Sequence, residues 1–197
     1  MKTHHAVAHA FVLVAVSLSL GACRGSSTPE IDWERPESFF IVDKSERTED
    51  GVNLEFHFLI DAPAAGVYKA LAGVEHYASF IPGVQKSVLV SSTASTKTID
   101  IAQTVIGVQN RAQVVWTLDR KNRTVSFETV RSDGSMNNGN YHVYSSPDGR
   151  RCYVVAKFDV HQTGLARAAP IGLLAKSIRD SVGEAAKAIK QRALTAG

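Results

Sequence analysis

The stretch Ala169–Leu194, APIGLLAKSIRDSVGEAAKAIKQRAL, decides the fold. Pro170 opens it, and Ile171, Leu174, Ile178, Val182, Ala185 and Ile189 follow at steps of three and four. That spacing stacks them in one stripe along a helix. Lys176, Arg179, Asp180, Glu184, Lys187, Lys190 and Arg192 take the opposite face. At ~5.4 Å per turn this is a helix of about six turns with a long apolar stripe to bury. No stretch before residue 160 offers a second helix of similar length, so the stripe must lie against a sheet. The expected architecture is α+β: one long helix gripped by a curved antiparallel sheet, with the space between them as the natural place for a ligand.

Upstream, the pattern is that of strands. Phe39–Asp43 is a short strand candidate, and Asp50-Gly51 is a hairpin turn before a longer strand. Leu54, Phe56, Phe58 and Ile60 share one face of that strand while Glu55, His57 and Asp61 share the other. This predicts one wet side, with His57 on the surface. Asp61-Ala62-Pro63 reads as an Asp cap or turn before a short helix carrying Val67, Leu71 and Val74 and ending at Gly73. Glu75–Phe80 reads as a second short helix closed by Pro82-Gly83. Six strands are then expected: Val84–Thr93, Thr96–Ile106, Gln109–Asp119, Thr124–Ser132, Met136–Ser145 and Arg151–His161. The breaks at Ala94-Ser95, Gly107, Lys121-Asn122, Asp133-Gly134 and Asp148-Gly149 are short enough to make sequence neighbours antiparallel neighbours in space. Gly164 and Pro170 bound the loop into the long helix. The sequence shows no internal repeat and no second domain.

The N-terminus has a different character. Met1–His5 is weakly basic and precedes an apolar run of 11 residues, Ala10–Leu20. Such a run is too short to span ~30 Å of hydrocarbon and has the length of a secretory signal core. Leu20-Gly21-Ala22-Cys23 follows at once and resembles the lipobox of bacterial lipoproteins. That resemblance implies cleavage before Cys23 and acylation of its thiol and new amino group. An ordinary secretory cut after Gly21 is the alternative. Several acyl chains at one residue would anchor stably, since each buried methylene contributes ~0.8 kcal/mol and one chain alone is marginal. Arg24, standing where an aspartate would by analogy retain the protein at an inner membrane, favours the outer membrane and a periplasm-facing domain. Residues 1–22 are thus expected as signal peptide, 23–37 as lipidated cysteine and flexible tether, and 38–197 as the folded domain. The polar tether, with Gly25, Ser26, Ser27, Thr28 and Pro29, would reach roughly 20 Å, from ~5–6 Å times the square root of its length.

The chain has 197 residues, 44% of them hydrophobic, which suits one domain with an ordinary core. Its formal charge of +3 is scattered, which gives no footprint for nucleic acid. The densest basic spot, Arg120-Lys121-Asn122-Arg123, reads as a solvated hairpin tip, with a phosphate or anionic-lipid contact as the alternative. Cys152 lies on the apolar parity of its strand and reads as a small buried thiol.

Ile60-Asp61-Ala62-Pro63, Val67-Tyr68-Lys69-Ala70-Leu71 and Tyr77-Ala78-Ser79-Phe80-Ile81-Pro82-Gly83-Val84, followed by six strands and a terminal helix, resemble the START-like (SRPBCC) superfamily. This is the helix-grip group of polyketide cyclases, coenzyme Q-binding proteins and plant pathogenesis-related lipid binders. The resemblance covers about residues 39–194, and Phe80–Val84 is most similar to the coenzyme Q-binding and cyclase branch. It implies a cavity under the long helix.

Strand parity selects the residues that would line it: Ile101, Gln103, Val114, Trp116, Phe127, Thr129, Tyr141 and Phe158 from the sheet, with Leu174 and Ile178 from the helix. Apolar walls with a few polar anchors are what small-molecule sites are made of. Gln103, Thr129, Tyr141 and the Trp116 indole are the anchor candidates. No His-x-x-x-His, Cys-x-x-Cys, Gly-x-Ser-x-Gly or phosphate-loop pattern occurs, so no catalytic residue, metal or cofactor is expected. His142, Asp159, His161 and Glu128 fall on the outward parity, and His76 lies on the surface beside the mouth. The leading expectation is an envelope-anchored lipoprotein that binds or transfers a lipid or other hydrophobic small molecule. The alternatives are a cyclase- or aromatase-like enzyme and a solid-cored envelope interaction domain.

Overall fold

The structure is a computed structural model that describes residues 29–105, 108–163 and 170–195. The leader, Cys23, the start of the tether, the Gly107 break and the Gly164 end of the loop into the long helix lie outside the described residues. Eight antiparallel strands form one curved sheet: β1 (Ser38–Arg47), β2 (Gly51–Ile60), β3 (Val84–Ser92), β4 (Thr96–Val105), β5 (Val108–Asp119), β6 (Thr124–Ser132), β7 (Ser135–Ser145) and β8 (Cys152–Gln162). Their order across the sheet is β1-β2-β8-β7-β6-β5-β4-β3. Every hairpin therefore pairs with its sequence neighbour, while β2 pairs with β8. Helix α1 (Ala64–Ala72) and a 3-10 turn (Val74–Ser79) link β2 to β3. Helix α2 (Ile171–Thr195) lies across the concave face, and the whole is the helix-grip fold.

Alternation does what the sequence predicts on β2, where Leu54, Phe56, Phe58 and Ile60 are all buried beneath the helices. Helix α2 buries Leu174, Gly183, Ala186, Ile189 and Ala193. Ile178 and Val182, on the same stripe, are only half-buried. Gly183 has a steric purpose: a Cβ there would stand 2.9 Å from Phe40 Cε2. Phe40 is turned inward at a bulge in β1, with φ 68, and its ring meets Phe56 and Phe58 edge-on.

Several local expectations are corrected. The Glu75–Phe80 helix is a 3-10 turn, tightened between Gly73 and Pro82. Asp61 does not cap α1, whose N-cap is Pro63 with no side-chain hydrogen bond; Asp61 instead pairs with Arg151 at 2.5 Å. Residues just ahead of β1 join the packing. Ile31 and Trp33 pack over Leu59, Tyr153 and Val155 on the convex face, and Arg151 donates to the carbonyls of Trp33 and Arg35. His57 also departs from the expectation. It lies on the outer face as expected, but its side chain is only 12% exposed, held between the Tyr153 hydroxyl (2.8 Å) and Glu55 (2.6 Å). Cys152 is a free thiol, fully buried, and burial pushes its pKa up to about 12.

Candidate functional site: a hollow beneath the long helix

The concave face is filled unevenly. Where α1 and the second half of α2 meet β2 and β8, the side chains of Phe56, Phe58, Val67, Leu71 and Val154 close the space. Towards β4–β7 a cavity of about 180 Å3 remains. Ile178, Val182 and Ala185 of α2 form its roof, and the Ile81–Val84 turn lies along one side. Half-burial of Ile178 and Val182 follows from this: they face open space instead of packed atoms.

A row of aromatic rings forms the floor. Tyr77 meets Trp116 edge-on at 5.8 Å, and Trp116 lies over Phe127 at 4.9 Å. Phe127 then reaches Tyr141 and Phe158 at 6.2 and 5.9 Å. Aromatic pairs at these separations and tilts are attractive beyond the area they bury. Gly139 lets β7 run between two of these rings. A Cβ there would stand 2.4 Å from the Lys157 carbonyl oxygen and 2.9 and 3.0 Å from the rings of Phe158 and Phe127.

Ile101, Gln103, Val114, Trp116, Phe127, Thr129, Tyr141, Phe158 and Ile178 all line the cavity. Leu174 does not. It is 2% exposed and packs with the core cluster near the start of α2, one helical turn before Ile178 and outside the lining of the hollow. Thr129 lines the wall, but its hydroxyl already donates to the Asn137 carbonyl (2.7 Å) and accepts from the Asn137 N–H (3.2 Å). It is a strand clamp, not an open anchor. Parity reasoning also passed over Asn137 and Ser135, which share the face of Tyr141 and line the same cavity. The signal was present in their odd numbers, but polar side chains drew no attention in a search for apolar walls.

Two polar atoms in this lining have no partner among the described residues: Trp116 Nε1, a donor, and Asn137 Oδ1, an acceptor. Buried polar atoms are almost always paired, so an unsatisfied donor and acceptor among the lining residues leave a polar demand beside the hollow, although each atom has almost no accessible surface of its own. Burial raises the pKa of the Tyr141 hydroxyl well above its ordinary range, so it stays protonated and can donate. The Tyr77 hydroxyl is also buried and raised, but it donates to the Leu71 carbonyl at 2.7 Å.

The outward-parity residues are not in the hollow. His142 stacks on Tyr144 at 4.1 Å, and His161 bridges Asp50 and Asp159, each at 3.0 Å. Glu128 is exposed. Among the described residues no group of three His, Cys, Asp or Glu side chains is placed to hold a metal ion.

The family described as "Polyketide cyclase / dehydrase and lipid transport" matches residues 60–187, from the last residue of β2 to well along α2. The chain belongs to this family. Solved structures agree on the fold. The Zhui aromatase/cyclase from Streptomyces sp. R1128 is 18% identical, with 72% of this chain covered, 93% of that one and a TM-score of 0.65. A STAR-related lipid transfer protein from Xanthomonas axonopodis is 14% identical, with coverages of 80% and 98% and a TM-score of 0.63. Human STARD10 is 12% identical, with coverages of 78% and 73% and a TM-score of 0.59. No curated protein sequence matches the chain closely enough to lend it an activity. Proteins with such different names share this fold, so the fold by itself does not choose between them.

Proposed function

We propose that this family member is an exported, lipid-anchored envelope protein that binds, and hands on, a lipid or other hydrophobic small molecule in the hollow beneath α2. The observation that carries the reading is the orphaned pair on its wall, Trp116 Nε1 and Asn137 Oδ1, set among aromatic and aliphatic side chains. The names of the relatives, an aromatase/cyclase and a lipid transfer protein, support an apolar cargo. The lipobox-like Leu20-Gly21-Ala22-Cys23 supports acylation of Cys23 and residence in the envelope, outer membrane included.

Size narrows the cargo. At about 180 Å3 the hollow is smaller than the ~300–1,000 Å3 of drug-sized pockets and close to an apolar cavity of ~150 Å3 that accepts benzene. It suits one or two rings or a short acyl segment, with an acceptor for Trp116 and a donor for Asn137. A longer chain would have to lift α2, whose two half-buried residues over the hollow make that end the easier one to move.

Native mass spectrometry of the full chain, isolated from its membrane and exposed to envelope lipid extract, tests this. We expect a bound small molecule in the wild type and none in Ala185→Trp, which fills the roof. Retention of nothing by the wild type would overturn the binding reading. An unmodified Cys23 peptide would separately overturn the anchor.

A further inference from the structure

On the far side of the aromatic wall lies a second feature, a groove of about 740 Å3 between α1, the end of α2 and the β5–β6 hairpin. It shares no lining residue with the hollow. The separating layer is thin: Phe80 lines the groove, Tyr77 lines the hollow, and their rings meet edge-on at 5.7 Å.

Five cationic side chains from four separate elements converge here: Lys69, Lys97, Arg120, Arg123 and Arg192, against the single carboxylate of Glu75. Lys97 and Glu75 satisfy one another at 2.7 Å. Asp119, beside Arg120 in sequence, is turned onto Asn122, accepting from its backbone N–H at 2.9 Å and its Nδ2 at 2.6 Å. Arg120, Arg123 and Arg192 make no ion pair among the described residues. The walls between the cations are apolar, with Tyr68, Phe80 and Leu118 among them, and the Arg192 guanidinium stands 5.8 Å over the Phe80 ring.

We propose that this groove docks the protein on an anionic bilayer by taking lipid headgroup phosphates. Unpaired guanidinium groups bind phosphate oxygens by charge-assisted, often bidentate hydrogen bonds. Apolar walls between them suit an amphiphile at an interface better than a free inorganic anion. A duplex nucleic acid needs a longer basic stripe than this concave patch supplies. Docking here would bring the headgroup region within one aromatic layer of the hollow. The docking surface stands independently of acylation at Cys23 and of what the hollow holds.

The test is flotation of the full chain on phosphatidylcholine vesicles with and without phosphatidylglycerol. The readout is the increment due to the anionic lipid, measured on the Cys23→Ser chain, wild type at the groove, and on its variants, so that an acyl anchor does not saturate binding to both vesicles. The wild type should gain affinity on the anionic vesicles and lose that gain as salt is raised. The triple variant Arg120→Ala, Arg123→Ala, Arg192→Ala should bind anionic vesicles about 100-fold more weakly, the summed effect of three cations at such a surface. A charge-matched control, Arg131→Ala, Lys176→Ala, Lys187→Ala, should retain most of the gain, and thermal melting should show all three proteins folded. The proposal is overturned if the wild type shows no increment, or if the control loses as much as the groove variant. Binding of glycerol 3-phosphate without any bilayer, as tight as binding to vesicles, would also overturn it and assign the groove to a soluble anion.

Discussion

The two halves of the concave face are built from the same sheet and covered by the same helix, yet one is solid and the other hollow. On the solid side α1 is interposed, so that Val67 and Leu71 fill the space between β2, β8 and α2; both are at most 1% exposed. On the hollow side nothing is interposed. The chain there supplies Tyr77 and the Ile81–Val84 turn, and the rings of Trp116, Phe127 and Tyr141 line a space that they do not fill. The difference lies in whether a third layer is present, and on the proposed reading it leaves stability to one half and binding to the other.

Mutations that respect this division should separate the two roles. The largest effect is expected from Leu71→Ala, which opens a void in the solid half and should lower unfolding stability by about 2–5 kcal/mol. In the hollow half Ile178→Ala removes a similar number of atoms but enlarges an existing space. Its cost should be nearer 1 kcal/mol, and denaturant titration of the two variants side by side measures the contrast. A hollow-side loss as large as that of Leu71→Ala would break the comparison. Gly139→Ala is the exception, because the Lys157 backbone in its path cannot yield. Overpacking should cost about 1–3 kcal/mol and tilt the rings of Phe127 and Phe158, visible as a changed near-ultraviolet spectrum.

A smaller effect sharpens the point. Trp116→Phe removes an indole N–H with no partner to lose and trims a ring edge that borders the hollow, so stability should fall by only about 1 kcal/mol. Cargo affinity should meanwhile fall roughly tenfold as one hydrogen bond disappears. A marked loss of stability would mean that the indole is a packing element of the solid kind.

The smallest effect lies outside both halves. Hydrogen bonds from His161 to Asp50 and Asp159 raise its pKa above the ordinary 6.5. A raised folded-state pKa adds stability that is fully present below the unfolded value and lost as pH rises through the folded one. A proton NMR titration of His161 should therefore give a midpoint above 6.5, and Asp159→Asn should bring it down. The group is too exposed for more than a slight change in overall stability.

Much of this was legible in advance, and the places where it was not are instructive. The α2 stripe, the six-strand run and its short breaks read correctly because alternation and the three-four repeat are local signals. The same parity put nine of ten chosen side chains on the wall of the hollow. Leu174 was misplaced because a stripe says which face is buried but not how far along the helix a void extends. Thr129 was misread as an open anchor because the Asn137 backbone that engages it lies across a hairpin. His57 was read as wet because nothing in its own strand announces that Tyr153 of β8 will lie against its ring.

What the amino-acid order determined by itself was periodicity: which segments are strands, which is the long helix, and which face of each must be hidden. What only the tertiary structure decided was convergence. Lys69, Arg120, Arg123 and Arg192 come from α1, a hairpin and the end of α2, and they share a groove only because those elements meet. Trp116 and Asn137 become an orphaned pair only because no third layer reaches them. Side-chain alternation is fixed by the geometry of neighbouring residues in the chain, whereas voids and charge clusters are fixed by distances between residues that the chain separates, and those exist only once it has folded.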